Sequence, residues 1–373
     1  MPQSIFDDAE GMLAMLRDSV STLASRQPGP ASVRRKRAAG ADTDIALWKA
    51  MAEAGWTGIL VPEALGGTGL SLTEQAVVSE ALGRALISEP LAIGAVFAST
   101  LLARAPASAE RDRLVAGLVD GNLVLAPAWM DVAGHAVSAR AAPDGGYLLA
   151  GGKRHVDLAL SATDLLVVAA MDDGVGLFSV PSGSAGLSVE TATGVDGAAI
   201  GKIRFDQCRL PGAALIAQAP TEAELLDEAV CNARVALAAE LAGIASRAVE
   251  ITIDYTRARV QFGKPIASFQ AIQHRLVEMW SDAEFACAAV VNAVETLRDD
   301  DARAGRLAVL AAKARAGDSA VSICRRAVHL HGAMGFTDEC DIGLYLKRAI
   351  SLNATLGQPE DLRLEFVNLE CAA

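Results

Sequence analysis

The sequence predicts an α+β protein built from three consecutive parts. Short hydrophobic runs typical of strands, cut by turns, fill residues 120–218, and the composition changes near Gly121. Residues 1–119 and 219–373, on either side, carry apolar residues at helical spacing. Helices, then strands, then long helices predict an N-terminal helical domain, a middle β domain and a C-terminal four-helix-bundle domain over these ranges.

The N-terminal domain is predicted to contain three helices. Large apolar residues recur at helical spacing from Trp48 to Ile59, and Pro62 ends the pattern. A turn-rich loop follows. The two further helices are predicted over residues 73–86 and 91–102.

Two turn signatures organise the predicted β domain. Asp144-Gly145-Gly146 and Asp172-Asp173-Gly174 combine acidic residues with glycine, as hairpin turns do. The predicted strands span residues 122–125, 146–150, 165–170, 175–180, 187–190 and 202–205.

Long helices are predicted to fill the C-terminal domain. An alanine- and leucine-rich stretch without proline, with a period near 3.6, predicts a helix over residues 225–257. Two more long helices are predicted over residues 269–299 and 303–334.

The composition argues against several classes of partner. A formal net charge of −12 disfavours nucleic acid and anionic membranes. The run Arg34-Arg35-Lys36-Arg37 is interpreted as a solvated loop, the alternative being a targeting or nucleic-acid-binding segment. No apolar run reaches roughly 18 residues, the length of a membrane span, so we expect no membrane partner.

The cysteines and the first residues predict a cytoplasmic location. Six cysteines lie without Cys-x-x-Cys spacing, as reduced thiols in a cytoplasmic protein do. Residues 1–16 are acidic and lack a charged segment followed by an apolar one, so no secretory signal is expected there.

Four motifs in a fixed order carry a family resemblance. The most informative begins at Arg259 and reads Arg-x-x-Phe-Gly-Lys-Pro-Ile, followed by Phe-Gln-Ala-Ile-Gln from Phe269. The others are a Pro-Glu-x-x-Gly-Gly-x-Gly loop from Pro62, residues 205–211, and His-Leu-His-Gly-Ala-Met-Gly-Phe from His329. With these motifs the chain resembles the acyl-CoA dehydrogenase family of flavoproteins along essentially its whole length, which implies that family's fold.

The resemblance implies that FAD is the cofactor and that this chain holds its pyrophosphate and adenosine end across a subunit interface. The pyrophosphate needs a fixed cation, which Arg259 would supply, and Gly332 would allow close backbone approach. The implied cofactor-binding residues are Arg259, Phe262, Gln270, His329, Gly332 and Ala333. From the residues alone, the alternative is a surface ion pair for Arg259 and buried core positions for the histidines.

His329 and His331 also raise the question of a metal site. Residues two apart on a helix point about 200° from each other, so they cannot readily share one ion. No third ligand stands out in the sequence, and no metal site is therefore expected.

On the flavin side the sequence departs from the family pattern. Residues 127–135 stand where relatives carry Thr-Glu-x-x-x-Gly-Ser-Asp against the flavin and the acyl thioester. Residues 153–157 stand where relatives have Lys-x-Trp-Ile-Thr, so His155 replaces the tryptophan and Asp157 the threonine that meet the flavin ring. A carboxylate beside the flavin N5 disfavours the anionic reduced flavin. The chain thus resembles half of a flavin site.

The carboxylate that the family uses as catalytic base is also missing. The family reaction removes an α-proton from an acyl-CoA with a carboxylate while a hydride passes to flavin. One family base position precedes a helical arginine, here Arg234, and holds Ala233; the other precedes Gly357 and holds Leu356. Neither alanine nor leucine can accept a proton. Arg234 is the substrate-binding residue that the resemblance implies.

Three carboxylates are candidates to replace the base. Glu240 shares the predicted helix of Arg234, but six residues turn it about 240° away. Glu360 and Asp361 follow the second base position on a segment that Pro359 is expected to break, so they could swing in; the alternative is a solvated acidic turn.

Together these features predict FAD-dependent α,β-dehydrogenation of an acyl-CoA thioester by a subunit that completes a partner's FAD site. The pattern resembles the non-catalytic subunit of heterotetrameric acyl-CoA dehydrogenases, some of which act on steroid side chains. The implied partners are an acyl-CoA substrate, a paralogous subunit or a second copy in a tetramer, and an electron-transfer flavoprotein or similar acceptor. Two alternatives stay open: a homotetrameric dehydrogenase with Glu360 or Asp361 as displaced base, and a flavin-free scaffold subunit.

Overall fold

Helices occupy both ends of the chain, and the main sheet lies between them in sequence. The computed structural model describes residues 1–299 and 301–371. The α-helices of these ranges are α1 (Met12–Arg26), α2 (Gly29–Ala39), α3 (Ile45–Glu53), α4 (Leu72–Ala85), α5 (Ala98–Arg104), α6 (Ala109–Val119), α7 (Glu222–Ala258), α8 (Gln270–Thr296), α9 (Ala302–His331), α10 (Ile342–Ala354) and α11 (Pro359–Cys371). The strands are β1 (Leu125–Ala128), β2 (Ser138–Ala141), β3 (Tyr147–Val156), β4 (Asp164–Met171), β5 (Gly174–Pro181), β6 (Leu187–Thr193), β7 (Ala199–Leu210), β8 (Leu215–Ala219), β9 (Val260–Gln261) and β10 (Lys264–Pro265). The predicted α+β class and the order of its parts are confirmed.

Packing groups these elements into two compact units. The first unit contains residues 1–34, 72–88 and 234–373, and therefore holds α1, α4, α8 to α11 and α7 from residue 234 onward. The second contains residues 35–71 and 89–233, with α3, α5, α6 and strands β1 to β8. The domain boundaries at residues 119 and 218 follow chain order and stay predictions.

Strands β1 to β8 form one mixed sheet. Their order is β6-β7-β3-β2-β4-β5-β8, and β1 pairs with β4. β1 and β2 run parallel to β4, whereas the other pairs are antiparallel. Both predicted turns are confirmed: Met171 pairs with Gly174 across Asp172-Asp173, and Gly145, with a φ of 83°, lies between β2 and β3.

Three strands of the main sheet depart most from the prediction, and β3, β6 and β7 are longer than predicted. The first strand is Leu125–Ala128 rather than 122–125, and it contains Pro127. Proline fits there because β1 pairs with β4 on one side, so the missing N–H can lie on the unpaired side. The sequence does not predict strands Ser138–Ala141 and Leu215–Ala219, because both are short, rich in alanine and poor in β-branched residues.

Helices α4 and α7 meet at glycines. A Cβ atom on Gly83 would lie 2.1 Å from the carbonyl oxygen of Glu240, and one on Gly243 would lie 2.0 Å from that of Glu80. Only glycine therefore allows these two backbones to approach so closely. The buried carboxylate of Glu240 pairs with Arg348 at 2.8 Å, so it is engaged in the interior of the first unit.

The basic run at residues 34–37 is not the predicted loop but part of helix α2. Arg34 pairs with Asp341 at 2.8 Å, and Lys36 pairs with Glu89 at 2.7 Å. Arginine and lysine are good helix formers, and a charge run alone does not show whether a helix carries it. These cations are therefore used in ion pairs within the chain.

Helix α7 (Glu222–Ala258) has the length and hydropathy of a membrane span. However, 78% of its most apolar window is buried inside the chain, which is the pattern of a core helix. The helix is long and apolar because it runs through the packed interior.

Candidate functional site

The motif that begins at Arg259 forms a hairpin at the end of α7. The Arg259 N–H donates to the Tyr255 carbonyl at 2.8 Å, and the Arg259 carbonyl accepts from the Ile266 N–H at 2.8 Å. Strands β9 and β10 pair between these contacts. The Arg259 side chain is exposed and makes no hydrogen bond or ion pair with residues 1–299 or 301–371. A surface ion pair within the described chain therefore does not account for this arginine.

Phe262 lies at the tip of the hairpin with its ring uncovered. Its side chain is 91% exposed, and its φ of 53° is unusual for a residue other than glycine. Its ring meets Phe269 edge to face at 6.1 Å between centroids, and the Lys264 Nζ lies 4.4 Å from the centre of the Phe269 ring. The described chain therefore leaves most of this ring uncovered.

Tyr255 ties the end of α7 to the end of α9. Its ring stacks on His331 with 4.2 Å between centroids, and its hydroxyl donates to the His331 carbonyl at 3.1 Å. Burial lowers the pKa of His331, so the ring favours its neutral form. His331 is buried as a core residue, whereas His329 is exposed. In the described ranges no group of three His, Cys, Asp or Glu side chains is arranged to hold a metal.

Gly332 ends helix α9 in a backbone conformation that requires glycine. Its φ of 62° and ψ of −141° lie in a region that side chains disfavour. A Cβ built on Gly332 would meet nothing within 4 Å, so the backbone is open on that side. Ala333 follows as an exposed residue of the short 3₁₀ turn Gly332–Phe336. This turn replaces the last predicted residues of the helix over 303–334.

Contacts within the first unit gather the predicted cofactor residues at one end of the helices. Tyr255 links Arg259 to the His331 turn, and Arg275 of α8 contacts His329 at 3.1 Å. Gln270 begins α8 and is exposed. An unpaired guanidinium, an uncovered aromatic ring and an open backbone fit a pyrophosphate and an adenosine. The residues present therefore suit the ADP end of FAD.

Arg234 supports the turn that carries the second base position. Its Nε donates to the Leu356 carbonyl at 3.0 Å, and its two Nη atoms donate to the Glu365 carboxylate at 3.1 and 2.9 Å. Leu356 has a φ of 55°, and Ala233 is fully buried on α7. Both base positions thus hold aliphatic side chains in the folded chain. Arg234 has two partners within the chain, and its role toward a substrate stays a prediction.

The candidate replacement bases lie on the surface. Pro359 does not break its segment; it is the first residue of α11, where a proline is well tolerated because that N–H has no helical partner. Glu360 and Asp361 therefore form the first turn of a helix and are exposed. They lack the dry pocket in which a carboxylate acts as a strong base.

Lys313 is a buried cation near the turn at Leu356. Sequence patterns did not indicate this buried lysine. Its Nζ donates to the Asn353 carbonyl at 3.3 Å, and its side chain is fully buried. Burial, with a smaller contribution from the charge of Arg234, lowers the pKa of Lys313 to about 7. A lysine in an otherwise apolar stretch of a helix gives no signal that separates a core position from a surface one.

We expect Lys313→Met to stabilise the chain most at and below neutral pH. Between pH 7 and the ordinary pKa of 10.5 the unfolded chain binds more protons at this lysine than the folded chain does, so stability rises with pH across that window. An uncharged side chain of similar volume removes the cost of burying the charged ammonium group. The free energy of unfolding should therefore rise by roughly 1–4 kcal/mol below pH 7. Thermal unfolding midpoints of both proteins from pH 6 to pH 10 measure the difference.

The matched control is Lys49→Met, at an exposed lysine. The gain from Lys313→Met should shrink as the pH approaches 10, whereas Lys49→Met should change little at any pH. A gain that is the same at every pH would contradict a charge penalty at Lys313.

Residues 127–135, the loop that the family resemblance places against the flavin, contact other residues of the second unit. Lys153 is buried; its Nζ donates to the Trp129 carbonyl at 2.9 Å and pairs with Asp131 at 2.6 Å. Burial outweighs that ion pair and lowers the pKa of Lys153. Trp129 stacks on Phe97 with 4.8 Å between centroids. His155 is exposed, with a φ of 53°. The loop's polar and aromatic groups are thus engaged by the chain itself.

A cleft of about 790 Å³ also lies within the first unit, between α1, α4 and α7. Its arginines Arg84 and Arg247 both pair with Glu250, the latter at 2.8 Å, and Tyr255 and His331 border it. Three arginines and four acidic side chains line the cleft, so its charges nearly balance and it does not define a ligand.

Family models match both helical parts of the chain. The acyl-CoA dehydrogenase N-terminal domain matches residues 12–122, and the acyl-CoA dehydrogenase C-terminal domain matches residues 224–364. Acyl-CoA dehydrogenase IpdE2 of Mycobacterium tuberculosis is 32% identical over 356 residues, which cover 94% of this chain and 95% of that protein. The chain belongs to the acyl-CoA dehydrogenase family.

Solved structures share the fold. A variant of the Tcur3481-Tcur3483 steroid ACAD is 30% identical, with a TM-score of 0.85 over 97% of this chain and 98% of that chain. The ChsE4-ChsE5 complex from Mycobacterium tuberculosis is 23% identical, with a TM-score of 0.89 over 100% and 99%. A glutaryl-CoA dehydrogenase from Mycobacterium smegmatis in complex with FADH2 is 19% identical, with a TM-score of 0.89 over 99% and 96%. The predicted family and fold are confirmed, and FAD is the cofactor that members of the family bind.

Proposed function

We propose that this chain is the subunit of a heterotetrameric acyl-CoA dehydrogenase that completes its partner's FAD site. One contrast carries the proposal. Arg259 and Phe262 are exposed, with no ionic partner for Arg259 in the described ranges, whereas Ala233 and Leu356 occupy the positions of the base. A chain with an open adenosine side and no base can serve a neighbour's cofactor without performing proton abstraction itself.

The contribution of this chain is to bind and to orient. When bound, FAD accepts the hydride that leaves the β-carbon of the acyl-CoA. The Arg259 guanidinium holds the pyrophosphate charge, and the Phe262 ring packs against the adenosine. Gln270 and His329 supply hydrogen bonds, and Gly332 with Ala333 leaves room for the ADP portion. A carboxylate of the partner subunit removes the α-proton, since neither family base position of this chain holds one.

The second unit supports the absence of a complete flavin site on this chain. Trp129 and Asp131 lie in the loop that relatives place against the flavin, and here they contact Phe97 and Lys153. An exposed His155 stands where relatives have a flavin-facing tryptophan. We therefore assign the isoalloxazine ring to the partner's β domain.

The relatives support a steroid-type substrate. The Tcur3481-Tcur3483 protein is named a steroid ACAD, and ChsE4-ChsE5 is named a complex. We therefore propose a steroid whose side chain is an acyl-CoA thioester as the substrate class. The proposed partner is a paralogous subunit, the acceptor is an electron-transfer flavoprotein or similar protein, and the location is the cytoplasm.

A flavin count on the assembled complex tests the proposal. We expect co-expression with the paralogous subunit to yield a 2:2 complex with fewer flavins than chains, because only the partner's β domain holds a flavin ring. Native mass spectrometry gives the stoichiometry, and absorbance of the released flavin gives the count. Each chain expressed alone is the control. One flavin on every chain would exclude the shared site, and a complex without flavin would support the scaffold alternative.

A further inference from the structure

Arg275 makes its contact with an imidazole rather than a carboxylate. Its Nη1 lies 3.1 Å from Nδ1 of His329, at the side of the first unit that carries the proposed ADP site. Within residues 1–299 and 301–371, Arg275 has no ion pair. The nearby acids of α8 are engaged elsewhere, because Glu278 and Asp282 both pair with Arg326. The charge of Arg275 is therefore not cancelled by its own helix.

The contact determines which nitrogen of His329 carries the proton. A guanidinium stays protonated and can only donate hydrogen bonds. Nδ1 of His329 must therefore be the acceptor, which leaves the proton of the neutral ring on Nε2. His329 is exposed, so this N–H is open to a ligand. Without Arg275 the ring could take either tautomer and present either a donor or an acceptor.

We infer that Arg275 is a positioning residue that makes His329 a fixed hydrogen-bond donor to the ADP part of FAD. This inference rests on the proposed function. Phosphate and ribose oxygens and adenine ring nitrogens all accept hydrogen bonds, so a fixed donor matches the ligand, whereas an acceptor would repel it. A glutamine at this position would need no such partner, since its amide NH₂ donates in any case.

Titration of the deflavinated complex with FAD tests this inference through a double-mutant cycle. Arg275→Met should weaken FAD binding by about three- to tenfold, as expected for the loss of one oriented hydrogen bond. His329→Gln alone should change the affinity little. In the His329→Gln background, Arg275→Met should change affinity less than about twofold, because its target is gone. Arg275→Lys, which also donates, should retain most of the affinity.

Arg325→Met is the matched control, since Arg325 is exposed one helical turn before His329 and carries the same charge. An equal loss from Arg325→Met would show a general charge effect and overturn the inference. A loss from Arg275→Met that persists in the His329→Gln background would also overturn it, because Arg275 would then act directly or through the fold. Arg259→Ala distinguishes failure of the proposed function from failure of this inference. If Arg259→Ala leaves FAD affinity unchanged, the proposed function fails. If Arg259→Ala weakens FAD binding and Arg275→Met does not, only this inference is overturned.

Discussion

On its own, the purified chain is expected to show no dehydrogenase turnover with short-chain, medium-chain or steroid acyl-CoA thioesters. The physical reason is the absence of a proton acceptor at either family position, where Ala233 and Leu356 are aliphatic. Removing a general base lowers the rate by roughly 10²–10⁴-fold, before any loss from an incomplete flavin site is added. Turnover with an artificial electron acceptor, compared with the co-expressed pair, measures the effect.

The exposed carboxylates supply the control for that experiment. In the active complex, the double substitution of Glu360→Gln and Asp361→Asn should leave the rate unchanged, because both side chains lie on the surface of α11. Robust turnover by the isolated chain, abolished by that double substitution, would establish the homotetrameric alternative with a displaced base. The double variant, measured in the complex and in the isolated chain, therefore distinguishes the two functions.

Glu365 illustrates why proximity of a carboxylate to the base turn is not sufficient for catalysis. Both of its oxygens accept hydrogen bonds from Arg234, at 2.9 and 3.1 Å. This bidentate pair occupies both carboxylate oxygens of Glu365. Arg234 also donates to the Leu356 carbonyl, so the pair fastens α11 to the turn. Glu365 thus supports the structure of this region rather than its chemistry.

Local patterns were sufficient for the long helices and for the motif that begins at Arg259. Helix α7 was predicted over 225–257 and spans Glu222–Ala258, because its apolar period and lack of proline act over many residues. The hairpin after it turns at Phe262 and Gly263, whose φ angles are 53° and 79°. The β strands were less predictable, because a short alanine-rich segment such as Ser138–Ala141 becomes a strand through its neighbours in the sheet.

Contacts between helices far apart in the chain could not be predicted from the sequence. Arg234 meets Glu365 across 131 residues, and Arg275 meets His329 across 54. Helical periodicity indicates which face of a helix is buried, but the pairing of two side chains depends on how far each helix is rotated and shifted against its neighbour. For this reason the sequence could not indicate which residues hold the Leu356 turn and His329 in place.

Arg259→Ala is expected to weaken FAD binding to the complex by roughly tenfold or more, while His155→Ala leaves it nearly unchanged. The Arg259 guanidinium is exposed and without a hydrogen-bond partner in the described ranges, so it is available for charge-assisted hydrogen bonds to a pyrophosphate, each worth about 1.5–3 kcal/mol. Fluorescence titration of the deflavinated complex with FAD gives the affinity of each variant.

His155 tests the other side of the same model. It is exposed on β3 at the position of a flavin-facing tryptophan, and the proposal holds that no flavin ring lies against this chain's β domain. Arg257→Ala, two residues before Arg259 and also exposed, controls for the loss of one positive charge near the hairpin. If His155→Ala weakens FAD binding as much as Arg259→Ala does, this chain holds a flavin ring of its own. The division of one site between two subunits is then wrong, whatever the state of the base.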